Sequence, residues 1–387
     1  MSTVKLYDVL IVGGGASSLM CATHLKTSLH IAIVDNNPKL ASKVKISGGG
    51  KCNITNVEVS VNNFDGEVDL VNHALQTYSK EDLLGFLDKN QIEPEIRKNR
   101  YYFCRKSSDE IINALKKNSR HAAYILNTTV GEVKKINDIF EVNTSRGVFK
   151  SKKVVIASGG KSYKTLGATE IGLDIAKSFG LKVKEFSPAL VGMTLQPAQF
   201  WMKELSGLSC YVNIEVEGKL LKEEMLFAHK GISGPCILSA SLYWKKGNMS
   251  INFLPNESIF KLIDGSKKLL SSVIPLPKRL SKALLDAIDV QDIECKKITK
   301  EVKERLELLH SYEFAPAGNF GFTKAEVSKG GVLAQELEVS TLESKRVKNL
   351  YFIGEVVDVT GELGGYNFQW AFSSAVVCAS ALNKVDL

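Results

Sequence analysis

Proline is scarce, 9 in 387 residues, and no apolar run approaches the roughly 18 residues of a membrane-crossing helix, so a polyproline chain and a transmembrane span are both excluded. The seven cysteines (Cys21, Cys52, Cys104, Cys210, Cys236, Cys295 and Cys378) include no pair at metal-binding spacing. That scatter and the odd count argue against structural zinc and disulfide staples and point to a reducing compartment. Met1 to Asp8 carry no signal-peptide pattern, and a cytoplasmic location is expected. Charge of one sign does not dominate: 50 basic against 42 acidic residues leave +8, spread along the chain. Such a balance does not call for nucleic acid, and with no dense basic and aromatic block recognised, nucleic acid is disfavoured as a partner. Neither histidine pairs nor carboxylate sets have useful spacing, so no hydrolase triad and no metal are expected.

What remains is 44% hydrophobic and 24% charged residues, the composition of a globular protein of two or three domains. Tyr7 to Val12 is apolar except for Asp8 and runs into Gly13-Gly14-Gly15, as a buried parallel strand entering a tight turn would. A small-residue helix over Ala16 to Leu25 and a short strand from His30 to Val34, closing at Asp35, complete half of a dinucleotide-binding unit. Ile46 to Asn56, with three successive glycines, reads as an ordered irregular loop. Surface helices are expected over Lys80 to Lys89 and Ser108 to Lys117. A meander is expected over Val130 to Ile136, Ile139 to Thr144 and Val148 to Lys150, with a separate buried strand from Lys153 to Ala157.

The texture changes near Val191. Val212, Ile214 and Val216 alternate with polar residues, and Met249, Ile251 and Phe253 repeat the alternation, which predicts an inserted antiparallel β domain over 191–257. A helical subdomain is expected over 258–310, with Leu262, Leu269, Leu270 and Val273 on one face and Leu280, Leu284 and Ile288 on another. The β domain resumes over 311–330. Residues 331–387 return to the opening texture: a strand from Asn349 to Ile353, a glycine-rich loop from Gly354 to Asn367 and an apolar helix from Phe368 to Leu382. Residues 1–190 and 331–387 are therefore expected to form one α/β nucleotide-binding domain around the insertion.

Gly13-x-Gly15-x-x-Ser18 lies between strand and helix, with an acid, Asp35, about 20 residues on. Glycines there allow a tight turn and close approach of a diphosphate to free N–H groups and the positive helix end, while Asp35 can accept from ribose hydroxyls. Serine stands where a third glycine is usual. The pattern does not separate FAD from NAD. Gly159-Gly160 after a buried strand, Gly354-Glu355 after another, and Gly364-Gly365-Tyr366-Asn367 at a helix start are further places for a cofactor to lie close to backbone.

Three longer stretches carry a resemblance: Ile46-Ser47-Gly48-Gly49-Gly50-Lys51-Cys52-Asn53-Ile54-Thr55-Asn56, Leu226-Phe227-Ala228-His229-Lys230-Gly231-Ile232-Ser233-Gly234-Pro235, and the run from Thr341 through Leu350-Tyr351-Phe352-Ile353-Gly354-Glu355 to Gly364-Gly365-Tyr366-Asn367-Phe368-Gln369-Trp370-Ala371. With Lys329-Gly330-Gly331-Val332, these motifs stand in the order found in the bacterial BaiN/YhiN-like FAD-dependent oxidoreductases, which the chain resembles over essentially its whole length. Lys51 stands in place of the common arginine, and Glu170-Ile171-Gly172 in place of a glycine-aspartate-glycine run. The resemblance implies a glutathione-reductase-like FAD-binding Rossmann domain interrupted by a β-barrel-like domain and a helical subdomain. It further implies FAD held by Gly13, Gly15, Ala16, Ser17, Asp35, Lys43, Val130, Ser158, Gly159, Gly160, Gly354, Glu355, Gly364, Gly365, Tyr366 and Asn367, with Gly49, Gly50, Lys51, Cys52 and Asn53 along the cofactor.

For Cys52 a packed or cofactor-lining role is the default, because a dithiol relay needs a second cysteine and none is near in sequence. His229 in its polar loop, Tyr366 and Asn367 are the candidates for substrate-side chemistry. The expected activity is hydride transfer between a reduced donor, NAD(P)H or another, and an unsaturated or carbonyl-like small molecule. NAD(P)H would dock transiently, since no second fingerprint appears in the insertion. The alternatives are a flavin-dependent RNA-modifying or RNA-associated protein and a noncatalytic redox sensor. Oligomeric state is left open.

Overall fold

The computed structural model describes residues 5–384. The chain divides into two compact units, one made of residues up to Ser187 and from Val327 onward, the other of Pro188–Glu326. The first is built on a sheet whose centre is Leu6–Val12, with Ile31–Val34 and then Ala123–Ile125 on one side and Gly147–Ile156 and then Leu350–Phe352 on the other, all parallel. Val9 to Val12, Ile31 to Val34 and Val154 to Ile156 are buried on both faces, which is why these segments read as continuous apolar runs. Register aligns Val12 with Val34 and with Ile156, and Ile156 with Phe352. Gly13, Asp35, Ala157 and Ile353 therefore all leave the sheet at one carboxyl edge, where open α/β sheets bind ligands.

Two expectations change here. The meander strand from Val148 and the buried strand from Lys153 are one strand, Gly147–Ile156. Its first half pairs antiparallel with Ile139–Thr144 and its second half parallel with Leu350–Phe352. No glycine or proline interrupts Val148 to Ile156, so the backbone runs straight through. The Ile46 to Asn56 segment is irregular only in its first part: the helix begun at Ser42 loses helical geometry at Ser47, and Gly48 to Gly50 have positive φ. Its second part is a strand, Asn53–Asn56, that pairs with Tyr101–Phe103, itself paired with Glu95–Arg97.

The terminal helix, Tyr366–Lys384, packs against Ala16–His24, and Cys21 and Cys378 are fully buried on these two helices. Trp370 Nε1 donates to the Gly354 carbonyl at 3.0 Å, and the Gly354 N–H donates to Ser374 Oγ at 3.0 Å. One helix thus pins both polar groups of a loop glycine at the sheet edge.

In the second unit the sheet order is Tyr312–Phe314, Met249–Asn252, Ser209–Val216, Lys219–Ala228, Gly231–Ser233, Met193–Leu195, Pro316–Asn319. Val212, Ile214 and Val216 are buried and alternate with more exposed neighbours, as their spacing predicts. The apolar helix Pro235–Tyr243 packs against this sheet. Only Ala315 separates the two edge strands in sequence, so the sheet curls until its edges approach, but the ladders among the described residues leave its order open. The helical stretch is a set of short helices. Lys278–Ala287 buries Leu280 and Leu284, with Ile288 just beyond its end. Leu269 is exposed, because it caps the four-residue helix Leu270–Val273 and does not continue a longer face. No helix among the described residues is long and apolar enough to cross a membrane.

Replacing Trp370 with Phe removes one of the two donors to the Gly354 carbonyl, leaving it the Val357 N–H at 3.2 Å, and empties the space of the second indole ring. The expected loss, lost hydrogen bond and small cavity together, is about 1–3 kcal/mol of unfolding free energy, read from urea denaturation. Wild-type stability would show that this hydrogen bond does not hold the loop.

Candidate functional site

The turn after Leu6–Val12 is fixed by sterics. Gly13 has φ +102°, and a Cβ on it would lie 2.4 Å from the Ala157 carbonyl oxygen. Its N–H donates to the Val34 carbonyl at 2.8 Å, so the turn threads between two neighbouring strand ends. Ser18 Oγ donates to the Gly13 carbonyl, and Ser18 is fully buried, which explains how serine serves where a third glycine is usual. Around Gly15 no heavy atom lies within 4 Å of where a Cβ would be, and the helix Ala16–His24 begins without a side-chain cap. Uncapped first-turn N–H groups facing open space form a site for a diphosphate.

Asp35 Oδ2 accepts from Gly14 N–H at 2.5 Å and Oδ1 from Asn37 N–H at 2.7 Å. A carboxylate offers about four acceptor positions, so capacity remains for ribose hydroxyls. The Asp35 carbonyl accepts from Thr128 N–H at 2.9 Å, while buried Val130, two residues on, pairs with Thr144.

A second corner joins residues far apart in sequence. Glu355 Oε1 accepts from Ser328 N–H at 2.8 Å and from Lys43 Nζ at 3.1 Å, while Lys43 Nζ lies 2.8 Å from Oε2. A Cβ on Gly160 would lie 2.7 Å from Ser328 Oγ and 2.8 Å from Glu355 Oε1. Ser328 Oγ also accepts from the N–H groups of Lys161 and Ser162 at 2.8 and 3.0 Å. Lys43, Gly159, Gly160 and Glu355 therefore come together around Ser328, a residue the sequence reading missed because nothing local marks it. Ser158 Oγ is buried without a hydrogen-bond partner and packs on Gly172, leaving Ser158 its backbone to offer a ligand. Gly354, at φ +71°, sits where a Cβ would lie 2.7 Å from Ser17 Oγ, so the late loop rests on the early helix.

At the far end of this cradle Gly48, Gly49 and Gly50 all have positive φ, with Cys52 at +44°. A Cβ on Gly365 would lie 2.7 Å from Thr55 Cα and 2.8 Å from Asn53 Oδ1. Asn56 Nδ2 donates to the Gly364 carbonyl at 3.1 Å, and Thr55 Oγ1 to Gln369 Oε1 at 2.8 Å. The Gly48 to Asn56 segment, Lys51 included, and the start of the terminal helix thus pack closely together, with Gly48 seated against Phe103 and Gly365 against Thr55, while Gly49 leaves open space where a Cβ would be. Tyr366 is 1% exposed, edge-on to Phe64, and burial raises its phenol pKa. The Asn367 amide donates to the Gly361 carbonyl at 2.8 Å and accepts from the Gly361 N–H at 2.9 Å. Both side chains brace the helix start. His229 is exposed on the turn between Lys219–Ala228 and Gly231–Ser233, in the second unit.

Cys52 has a near neighbour that its sequence surroundings do not reveal: Cys104 N–H donates to the Lys51 and Cys52 carbonyls at 3.0 and 3.3 Å. Burial pushes the Cys52 thiol up to about 12 and the Cys104 thiol up to about 11, so both stay protonated near neutral pH. All seven cysteines are free and buried.

Open space at Gly15, the uncapped helix start and the acceptor at Asp35 suit the diphosphate and ribose of FAD, and the open backbone at Gly49 suits a flat ring. The family described as "HI0933-like protein Rossmann domain" matches residues 7–381. A ribosomal RNA dihydrouridine synthase of Haemophilus influenzae is 35% identical over 395 residues, covering 97% of this chain and 98% of the relative. Another, from Escherichia coli K12, is 33% identical over 394 residues, covering 98% of each. Among solved structures, a mutant FrdA of Escherichia coli quinol fumarate reductase aligns with a TM-score of 0.53 at 15% identity, covering 98% of this chain and 70% of that one, a likeness of fold alone. The two curated relatives overturn the expectation that nucleic acid is disfavoured as a partner. Net charge averaged over the chain hid a local block: residues 97–106 hold five cations, three aromatics and no acid.

Gly13→Ala should lose FAD during gel filtration, and Asp35→Ala should weaken FAD retention at least several-fold by flavin fluorescence titration. Retention equal to wild type in either would remove that residue from the cradle. Because an unfolded thiol titrates near about 8.5 while folded Cys52 titrates at about 12, its contribution to stability is complete below pH 8.5 and is lost as pH rises from there towards 12. Urea midpoints should fall above pH 8.5, less steeply in Cys52→Ser. Identical slopes would contradict the burial of this thiol.

Proposed function

The chain belongs to the HI0933-like family, and on that premise we propose that this FAD-dependent oxidoreductase reduces a uridine of ribosomal RNA to dihydrouridine. The observation that carries the reading is the pair of curated relatives, both ribosomal RNA dihydrouridine synthases, each aligned over nearly the whole chain. Within the family we read the chain as BaiN/YhiN-like, on the motifs quoted above, and the curled sheet of the second unit as the barrel-like insertion.

The reaction adds a hydride to C6 and a proton to C5 of the uracil ring, saturating one carbon–carbon double bond while a reduced donor loses two electrons and a proton. FAD, when bound, supplies the hydride chemistry. The residues of the chain supply position and environment. First-turn N–H groups of Ala16 and Ser17 would hold the diphosphate, and Asp35 would hold the adenosine ribose. Glu355, neutralised by Lys43 and fixed by Ser328 N–H, would offer its carboxylate to cofactor hydroxyls. Gly49, with no heavy atom within 4 Å of where its Cβ would be, would leave room for the ring, while Gly48 and Gly364-Gly365 let the neighbouring segments close up around that place. A base in a folded RNA must be drawn out of its stack to reach that place. The protonated Cys52 and Cys104 thiols do not compete as nucleophiles for the C5–C6 bond. His229 is the side chain proposed for proton transfer on the substrate side.

Nucleoside mass spectrometry of ribosomal RNA from a strain lacking this protein should show loss of a dihydrouridine that wild type restores and Asp35→Ala does not. An unchanged dihydrouridine content in the deleted strain would overturn the reading.

A further inference from the structure

Resting on the RNA reading above, we propose that the hairpin formed by Glu95–Arg97 and Tyr101–Phe103 is the surface that grips single-stranded RNA around the target uridine. The hairpin and the three residues after it hold the block Arg97-Lys98-Asn99-Arg100-Tyr101-Tyr102-Phe103-Cys104-Arg105-Lys106. Over 93–106 five cations face two carboxylates, Glu93 and Glu95, which pair with Arg105 and Arg97 at 2.7 and 3.0 Å. The remaining charge is positive, and Lys98, Asn99, Arg105 and Lys106 are exposed.

Cations and aromatics are interleaved in space as well as in sequence. The Arg97 guanidinium carbon lies 4.7 Å from the Phe103 ring centroid and that of Arg100 5.5 Å from Tyr101, while Tyr101, Tyr102 and Phe103 are all half-buried. Proteins read single-stranded RNA by stacking unpaired bases on aromatic rings and guanidinium planes while lysine and arginine meet the phosphates. Charges alone would be accounted for by the protection of an edge strand. Location adds what edge protection does not require. Phe103 Cε1 lies 2.9 Å from where a Gly48 side chain would begin, and Tyr101 Cε1 3.1 Å from that point on Gly364. Asn53 pairs with Phe103 and Asn56 with Tyr101. The same rings therefore pack against the glycines beside which the base must arrive, so nucleotides flanking an extruded uridine meet aromatic rings and their phosphates meet the cations at the turn and just past Phe103.

The test uses the holoprotein carrying Lys98→Glu, Arg105→Glu and Lys106→Glu together, with Lys98→Arg, Arg105→Lys and Lys106→Arg as the charge-conserving control. Binding to unmodified ribosomal RNA transcripts is followed by fluorescence anisotropy against KCl, and flavin content and dihydrouridine formation are measured in parallel. Losing about three phosphate contacts should lower the slope of log K against log salt by about 2, with affinity near 0.1 M salt falling at least about ten-fold. Flavin content should stay at the wild-type level, and the charge-conserving control should bind like wild type. If wild type binds and modifies RNA and the charge-reversed protein does so equally well, the hairpin is not the docking surface and the RNA reading stands. If wild type neither binds nor modifies any ribosomal RNA, the reading and the surface fall together.

Discussion

Where Leu6–Val12 ends, the Ala157 carbonyl occupies the space that a side chain on residue 13 would need. That steric constraint organises the cofactor side of the molecule. It holds two adjacent strand ends close together, so the chain must turn sharply and start Ala16–His24 with its first N–H groups uncapped. From the other end of the chain, Gly354 settles against Ser17 because it too lacks a side chain, and Trp370 and Ser374 hold it there. Segments more than 300 residues apart thereby close one edge of one sheet. Adding a methyl group at position 13 or 354 would separate elements that must touch.

A division of labour follows along the cradle. The fingerprint end is rich in hydrogen-bonding capacity, with helix N–H groups and two carboxylates, Asp35 and Glu355, each oriented by backbone donors. The opposite end is poor in it: consecutive glycines of positive φ, two protonated buried thiols and a helix start whose Tyr366 and Asn367 are turned to structural use. Such a surface contributes shape more than reactive groups, which suits a reaction whose electrons come from the cofactor. Specificity must then come from groups around the rim, and the aromatic and cationic hairpin borders it.

The local parts of this arrangement were legible in the sequence. Strand, Gly13-x-Gly15, helix and Asp35 are contiguous, and the alternation of Val212, Ile214 and Val216 announced its own burial. What escaped was non-local. Ser328 links Glu355 to Lys161 and Ser162 through contacts across more than 160 residues, and Cys104 reaches Cys52 only because Asn53 pairs with Phe103. The glycine run hid the strand Asn53–Asn56, since glycine predicts turns and the pairing partner lies nearly 50 residues on. A net charge of +8 averaged over the whole chain does not point to nucleic acid, whereas binding depends on local density. The block at 97–106 was visible in the letters, but its place beside Gly48 and Gly364 was not.

The most direct test mixes anaerobically pre-reduced holoprotein with unmodified ribosomal RNA in a stopped-flow spectrophotometer. Oxidised-flavin absorbance should return in proportion to dihydrouridine formed, in a single turnover and without oxygen. Flavin that stays reduced in the presence of RNA, yet reoxidises with a small enone, would contradict the RNA reading.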